Sequence, residues 1–286
     1  MSRTIHVAHS PDSDDAFMFY ALAEGKIDTG DLRYEHELAD IETLNRRALK
    51  GELEVTAVSI HAYAYLAGTY ALLNSGSSMG DRYGPRLVGR TPPPSDPRAD
   101  SRGRRIAVPG TLTTAYLALR LFQPEFEPVV MPFDRIEDAV EAGEVELGLL
   151  IHEGQLTHEE RGLPLWTDLG EWWFGETGLP LPLGGNVVRR DLGQAVMEQV
   201  ARDLKAGIEY ALEHRTAALS HASRFNRGIG ESKTDRFVAM YVNHWTVDYG
   251  ERGRQAVREL LRRGHAAGII PHRVAVDFVG AEPGAP

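Results

Sequence analysis

Short apolar runs alternate with stretches of helical periodicity along most of this chain. The predicted strands of the first part are TIHVAHS, LRYEHEL and VTAVSI. Between the last two lies IETLNRRALKGE, which places Ile41, Leu44, Ala48 and Leu49 on one face of a helix. A polar, proline-rich stretch, TPPPSDPRADSRGRR, interrupts this pattern, which resumes with the predicted strands RIAVPG, PVVMPF and ELGLLIH. From Asp191 onwards the periodicity is mainly helical.

Alternating strands and helices on both sides of that stretch predict an α/β protein of two lobes with mostly parallel sheets. Extended segments at residues 87–90 and 185–189 are the predicted crossings between the lobes. We therefore expect a first, discontinuous lobe of residues 1–88 and 188–286, and a second lobe of residues 89–187. Lobes joined in this way bind small ligands in the central cleft, near the carboxyl ends of the strands.

The composition narrows the class of partner. The 286 residues carry a formal net charge of −10, so the long-range field repels nucleic acids and anionic membranes. The chain has no cysteine, which excludes disulfides, thiolate metal sites and a cysteine nucleophile. The first residues lack the apolar core of a secretory signal, and no segment approaches the roughly 20 apolar residues of a membrane span. We expect a cytoplasmic protein that binds a small molecule, and the oligomeric state is left open.

The segment VELGLLIHEGQL ends an apolar run on His152, which Glu153 follows. A strand this apolar ends at the ligand side of an α/β sheet, so we expect the imidazole to project into the cleft. Histidine titrates near about pH 6.5 and suits a general base, the alternative being a structural histidine bonded to a backbone carbonyl. Glu153 should point to the opposite face of the strand. HEGQLTH is not an H-E-x-x-H motif, and we expect no metal site.

Three turns that follow predicted strands carry polar residues. In SPDSDDAF, Asp14 and Asp15 are candidates to accept hydrogen bonds from substrate hydroxyls, unless this turn serves only to cap the next helix. In VPGTLTTAYLAL, Thr113 and Thr114 begin a helix whose free amides favour an anion, unless they are ordinary caps. Ser59, after VTAVSI, faces the same cleft or caps the helix that follows.

Eight motifs occur in order across roughly residues 5 to 270. They are SPDSDDAFMFYAL, DIETLNRRAL, SGSSMGDRYGP, VPGTLTTAYLAL, GEVELGLLIHE, DLGEWW with TGLPLPLGG, RRDLG and YVNHWTVDYGERG. In these motifs the chain resembles the 1,4-dihydroxy-6-naphthoate synthases of the futalosine route to menaquinone biosynthesis. The resemblance implies a two-lobed, type II periplasmic-binding-protein-like fold that serves as a cytoplasmic enzyme.

The resemblance also implies a reaction. The enzyme would be a lyase that breaks a carbon–carbon bond of cyclic dehypoxanthine futalosine, a carboxylated aromatic, and releases 1,4-dihydroxy-6-naphthoate and a small carbon fragment. It would need no cofactor. His152 falls on the family's proton acceptor in the I-H-E motif, and Ser59, Thr113 and Thr114 fall on its ligand contacts.

Two positions depart from the family pattern. Ala57 replaces the lysine of the common Lys-x-Ser motif, which removes a cation from the cleft, and SPDSDDAF adds acid where many members read SPCPNDTF. If another cation replaces the lysine, Arg82 and Arg86, which flank the glycine-rich loop, are the candidates. The alternatives to the synthase are a non-catalytic protein of the same fold that binds a solute or aromatic acid, and a sister chorismate dehydratase.

Overall fold

The computed structural model describes residues 2–225 and 230–280. The strands are β1 (Arg3–His9), β2 (Leu32–Leu38), β3 (Val55–Ser59), β4 (Tyr70–Leu73), β5 (Ser78–Gly80), β6 (Arg86–Gly89), β7 (Arg105–Val108), β8 (Glu127–Val130), β9 (Leu147–Leu150), β10 (Leu165–Asp168), β11 (Leu181–Arg189) and β12 (Phe278–Val279).

The helices alternate with these strands in the first two thirds of the chain and then follow one another. They are α1 (Ser13–Met18), α2 (Tyr20–Ala23), α3 (Ile41–Leu49), α4 (Ile60–Leu66), α5 (Pro97–Asp100), α6 (Thr114–Phe122), α7 (Ile136–Ala142), α8 (Gly154–Thr157), α9 (Leu169–Thr177), α10 (Gln194–Glu213), α11 (Arg215–Ala222), α12 (Glu231–Tyr241), α13 (His244–Val247) and α14 (Gly250–Ala266). No helix within the described residues is long and apolar enough to cross a membrane.

Two sheets organise the chain, as the alternation predicted. The first has the order β12-β4-β11-β3-β1-β2, with β5 paired to β11, and the second has the order β10-β6-β9-β7-β8. The α/β class is confirmed, but the sheets are mixed rather than mostly parallel. The antiparallel pairs come from β11, which pairs with β3 and β4, and from β6, which pairs with β9 and β10.

The predicted lobe boundaries fall within two strands, each of which belongs to only one sheet. The boundaries after residues 88 and 187 lie inside β6 and β11, yet β6 pairs only within the second sheet and β11 only within the first. An apolar run predicts a strand, but the sheet to which the strand belongs depends on its hydrogen-bonding partners. The sheets therefore place the changeover earlier, around residues 81–85 and 169–180. The division into lobes stays a prediction.

Apolar periodicity accounts for the helix that packs beside β3. Helix α3 begins after Asp40, whose side chain accepts a hydrogen bond from the amide of Thr43 at 3.0 Å. Leu44 and Ala48 are buried as predicted, whereas Ile41 is only half-buried and borders the cleft. The prediction was wrong for Leu49, which is 46% exposed at the last position of the helix, where the next residue along from the buried Ala48 turns outwards. The helix thus places one polar residue, Asn45, inside the core beside the end of β3.

One hydrophobic core continues beneath the cleft from one sheet to the other. It contains Tyr63 of α4, Leu117 of α6, Trp173 of α9 and Leu260 of α14, all buried. Because α6 follows a strand of the second sheet while α4 and α14 pack with the first, these helices join the two halves. The floor of the cleft is therefore a packed interior.

Candidate active site

The cleft lies where the carboxyl ends of β1, β3 and β9 meet the first turn of α6. It encloses about 750 Å³ of space, including the open mouth, which is within the usual range for small-molecule sites. Residues from both halves of the chain line it. All six candidates from the sequence are among them, namely Asp14, Asp15, Ser59, Thr113, Thr114 and His152.

His152 reaches the cleft from a turn rather than from a strand. Strand β9 ends at Leu150, and His152 adopts a left-handed conformation with φ 53°. Its Nδ1 lies 3.1 Å from Oδ2 of Asp12, so the imidazole is held by a carboxylate and not by a backbone carbonyl. Its Nε2 is buried and has no hydrogen-bond partner in the part of the chain that the structure describes. The ring of Phe133 packs against the imidazole, with 4.7 Å between centroids.

Asp12 was missed as a site residue. It precedes α1 in the turn for which helix capping is the alternative prediction, but its side chain makes no capping bond. Instead its Oδ2 accepts a hydrogen bond from the hydroxyl of Ser10 and faces His152. Only 2% of Asp12 is exposed. Since Asp12 and His152 are 140 positions apart, on turns of different sheets, no spacing in the sequence could have shown that they meet.

Asp14 and Asp15 are buried with their carboxyl groups close together. Burial raises the pKa of Asp14 well above its ordinary value, and the neighbouring charges of Asp15, Asp12 and Glu153 raise it further. Burial raises the pKa of Asp15 to about 7, although its Oδ2 accepts a 2.8 Å hydrogen bond from the amide of Ser10. These carboxyl groups therefore hold protons at pH values where aspartate is usually ionised, and a protonated carboxyl group can donate as well as accept.

Glu153 is not among the residues that line the cleft, yet it lies beside the acidic groups of the site rather than on the opposite face of a strand. It is buried, and its Oε1 accepts a hydrogen bond from the hydroxyl of Ser13 at 3.3 Å. The alternation rule fails because the strand has already ended at Leu150 and the left-handed turn at His152 redirects the chain. Its charge contributes to the raised pKa of Asp14.

The two threonines at the start of α6 use their hydroxyl groups within the protein. Thr113 is the N-cap: its hydroxyl accepts from the amide of Tyr116 at 3.2 Å and donates to the carbonyl of Gly110 at 2.8 Å. The hydroxyl of Thr114 donates to the carbonyl of Leu183 at 2.6 Å and accepts from the amide of His61 at 3.1 Å. An anion at this end of α6 would therefore meet the backbone amides of the first turn, which have no acceptor within the helix.

Ser59 is held in place by a second residue that was missed, Asn45. The hydroxyl of Ser59 accepts from Nδ2 of Asn45 at 3.1 Å, and the amide of Ser59 donates to Oδ1 of Asn45 at 2.9 Å. This pair of bonds leaves the proton of the Ser59 hydroxyl available for a ligand in the cleft. The sequence pattern offered no reason to select Asn45 as a site residue, because it lies next to the apolar positions of α3 that the pattern assigns to the hydrophobic core.

Gln155 and Tyr241 complete the wall beside His152. The hydroxyl of Tyr241 lies 2.7 Å from the side-chain amide of Gln155, and both residues line the cleft. Burial raises the pKa of the Tyr241 hydroxyl well above its ordinary value, so Tyr241 stays neutral. Tyr241 comes from α12 and Gln155 from α8, so their contact also links the two halves of the chain across the cleft.

Neither candidate cation reaches the cleft. The guanidinium of Arg82 lies over the ring of Phe174, 4.3 Å from its centroid. Arg86 donates to the carbonyl of Gln155 at 2.7 Å, and its Nε lies 3.5 Å from Asp168. Among the residues that the structure describes, no lysine or arginine lines the cleft, nor do three histidine, aspartate or glutamate side chains group closely enough to hold a metal ion.

Sequence comparison relates the chain to a family of biosynthetic proteins. The family described as "menaquinone biosynthesis" matches residues 5–266. A curated 1,4-dihydroxy-6-naphthoate synthase of Thermus thermophilus is 39% identical over 265 residues, covering 93% of this chain and 95% of that protein. The protein of the same name from Streptomyces coelicolor is 37% identical, covering 94% and 95%.

Solved structures support the fold. A crystal structure of a protein from Archaeoglobus fulgidus is 47% identical, with a TM-score of 0.88, and covers 93% of this chain and 98% of that one. The alkanesulfonate-binding protein of Xanthomonas axonopodis, bound to MOPS, is only 13% identical but has a TM-score of 0.66 over 96% of this chain and 97% of that one. A Candida albicans protein described as having the generic periplasmic binding protein fold gives 0.65 at 14% identity, covering 98% and 99%. The predicted periplasmic-binding-protein-like fold is confirmed.

Proposed function

Because the chain belongs to the menaquinone biosynthesis family, we propose that it catalyses the reaction for which its curated relatives are named, as a 1,4-dihydroxy-6-naphthoate synthase. Two such relatives cover almost the whole chain, and the proposed base and the proposed substrate contacts all line one cleft. The name describes a product that is a carboxylated aromatic. The remaining question is how these residues convert a precursor into it.

We infer that the enzyme is a carbon–carbon lyase with His152 as its general base. In this proposal, Nε2 of His152 takes the proton of a hydroxyl group of cyclic dehypoxanthine futalosine. The carbon–oxygen bond becomes the carbonyl of the small leaving fragment, and the electron pair of the broken carbon–carbon bond stays on the ring system that becomes aromatic. A positioned base of this kind contributes about 10²- to 10⁴-fold. No metal or cofactor takes part in the proposed step.

The observation that carries this proposal is the state of Nε2. It is buried at the wall of the cleft and lacks a hydrogen-bond partner among the described residues, while Nδ1 of the same ring is engaged by Asp12. A buried nitrogen without a partner is unfavourable unless a ligand completes it. A substrate hydroxyl group would supply that partner, and it is also the group from which the proton must be taken.

The remaining contacts in the proposal orient the substrate. Asp14 and Asp15, which line the same cleft as His152, bind substrate hydroxyl groups. Ser59 and the first amides of α6, at Thr114 and Ala115, bind the carboxylate. These donors are neutral, so the carboxylate is held by hydrogen bonds and the positive end of the helix dipole rather than by an ion pair. Cytoplasmic localisation stays a prediction.

The test is a turnover assay with purified wild type and His152→Asn, combined with calorimetric binding of cyclic dehypoxanthine futalosine. We expect kcat to fall by about 10²-fold or more in the variant while binding persists, because the lost interaction matters chiefly in the transition state. His6→Asn is the matched control, since His6 is exposed and also faces a carboxylate, Glu35, at 3.6 Å.

Three results would contradict parts of this proposal. If wild type binds the compound but never cleaves it, the protein is a binder of the same fold. If it converts chorismate instead, it is the sister dehydratase. If His152→Asn cleaves as fast as wild type, the synthase stands and His152 is structural.

A further inference from the structure

A short chain of polar contacts runs from the first half of the molecule to the candidate base. The hydroxyl of Ser10 donates to Oδ2 of Asp12, and the amide of Asp12 donates back to that hydroxyl at 3.1 Å. The same Oδ2 lies 3.1 Å from Nδ1 of His152. Asp12 and Ser10 are both buried, with 2% and 4% of their surfaces exposed. The carboxylate is therefore oriented before it meets the imidazole.

The chemistry of the two groups determines where the proton lies. An ionised carboxylate can only accept hydrogen bonds, so Asp12, 3.1 Å away, favours a proton on Nδ1 of His152. A neutral imidazole with that proton on Nδ1 has its lone pair on Nε2. Nε2 is the buried atom of this cleft-lining residue that has no partner in the described part of the chain. The tautomer required of a base is the one that this contact selects.

We propose that Asp12 is a positioning residue that fixes the tautomer and the orientation of His152, and so keeps Nε2 ready to accept the substrate's proton. This inference rests on the proposed role of His152 as the base. Asp12 acts through the imidazole rather than on the substrate. Position 12 is one at which this chain departs from the pattern SPCPNDTF. We therefore expect this way of positioning the histidine only in chains that have an acidic residue at that position.

The contact between Asp12 and His152 also joins two parts of the structure, and this structural role is distinct from positioning the base. Asp12 follows β1 and His152 follows β9, so their contact also bridges the two halves of the molecule, as does the neighbouring contact of Ser13 with Glu153 at 3.3 Å. If Asp12 were only a bridge, its loss would loosen the cleft and weaken binding. If it positions the base, its loss changes the imidazole and kcat while binding changes little.

The experiment compares Asp12→Ala and Asp12→Asn with wild type by two measurements. Long-range ¹H–¹⁵N NMR of the imidazole, assigned by the signal that disappears in His152→Asn, reports which nitrogen carries the proton and needs no substrate. Steady-state turnover reports kcat and KM. We expect wild type to carry the proton on Nδ1, and Asp12→Ala to show a mixture of tautomers with kcat lowered by about 10²-fold or more and KM changed by less than about threefold.

Asp12→Asn extends the comparison because its amide can present either oxygen or nitrogen to Nδ1. Across the variants, kcat should follow the fraction of His152 that carries its proton on Nδ1. The double variant Asp12→Ala with His152→Asn should be no slower than His152→Asn alone, because residues that act as one unit are not additive. Glu35→Gln is the matched control at the exposed His6–Glu35 pair, and it should change neither measurement.

Opposite outcomes separate this inference from the proposed function. A loss of kcat with an unchanged tautomer, or a changed tautomer with unchanged kcat, overturns the inference. Active Asp12 variants beside an inactive His152→Asn refute the inference alone. A fully active His152→Asn refutes the base itself. If Asp12→Ala does not fold, Asp12→Asn carries the same comparison.

Discussion

The left-handed backbone at His152 costs free energy, because a side chain with a Cβ is strained at φ 53° by about 1–2 kcal/mol. Asparagine and glycine adopt this conformation more readily than alanine does. We therefore predict that His152→Asn and His152→Gly have a free energy of unfolding about 1 kcal/mol higher than that of His152→Ala. Chemical denaturation of the three variants measures this difference. If the alanine variant is the most stable, the turn relaxes and stores no strain.

Asp15 makes the stability of the protein depend on pH in an unusual direction. Its folded-state pKa of about 7 lies above the ordinary value of 3.8 because the carboxyl group is buried. The folded state therefore binds more protons than the unfolded state between about pH 4 and pH 7, and stability falls as the pH rises through that window. Below the window this group contributes no penalty, and above it the penalty is complete.

Asp15→Asn removes that ionisation while keeping an oxygen that can accept from the amide of Ser10. We predict that the variant gains about 1–3 kcal/mol in unfolding free energy relative to wild type at pH 8, and much less at pH 5. Urea denaturation at the two pH values measures both differences. An equal gain at both would mean that the effect comes from packing and not from the charge.

At the scale of elements, the hydroxyl of Thr114 connects three of them. It accepts from the amide of His61 at the start of α4 and donates to the carbonyl of Leu183 in β11. Thr114→Val keeps the shape of the side chain but leaves both buried groups without their partner. We predict a loss of about 1–3 kcal/mol in unfolding free energy, measured by denaturation. Thr114→Ser, which keeps the hydroxyl, should lose less than half as much, and equal losses would point to the methyl group instead.

Apolar periodicity predicted elements better than it predicted their ends or partners. β1, β3 and the buried face of α3 follow directly from the pattern, because burial selects apolar residues at fixed spacing. The strand before His152 ends two residues earlier than expected, because apolar character continues into the turn at Ile151. Mixed pairing of β6 and β11 is decided by contacts between distant segments, which a local pattern does not contain.

The residues of the candidate site likewise include some that the sequence pattern predicted and some that it did not. His152, Ser59 and the start of α6 were predicted because each follows a strand and carries a recognisable chemistry. Asp12 and Asn45 were not, because their roles depend on partners reached only in the folded chain: Asp12 meets a turn of the other sheet, and Asn45 meets the end of β3. Motifs place residues at the site, whereas the residues that hold them in position leave little trace in the sequence.

At the scale of the molecule, the two halves touch along both the floor and the rim of the cleft. The floor is the continuous core beneath α4, α6 and α14. At the rim, Lys233 of α12 pairs with Glu160 at 2.5 Å, and Tyr241 of the same helix contacts Gln155. Helix α12 therefore forms part of the cleft wall through Phe237 and Tyr241, and any motion that separates the two halves here must break these contacts.

Because no lysine or arginine is among the described residues that line the cleft, the association rate of an anionic ligand should depend on salt. A formal net charge of −10 repels an anionic substrate at long range, and no cation along the described lining focuses the field to attract it. Added salt screens this repulsion, since the Debye length shrinks from about 30 Å at 0.01 M to about 10 Å at 0.1 M. We predict that stopped-flow association of the substrate speeds up as ionic strength rises over this range, while its dissociation rate changes little. In an enzyme that steers its substrate with positive charge, the same addition of salt slows capture.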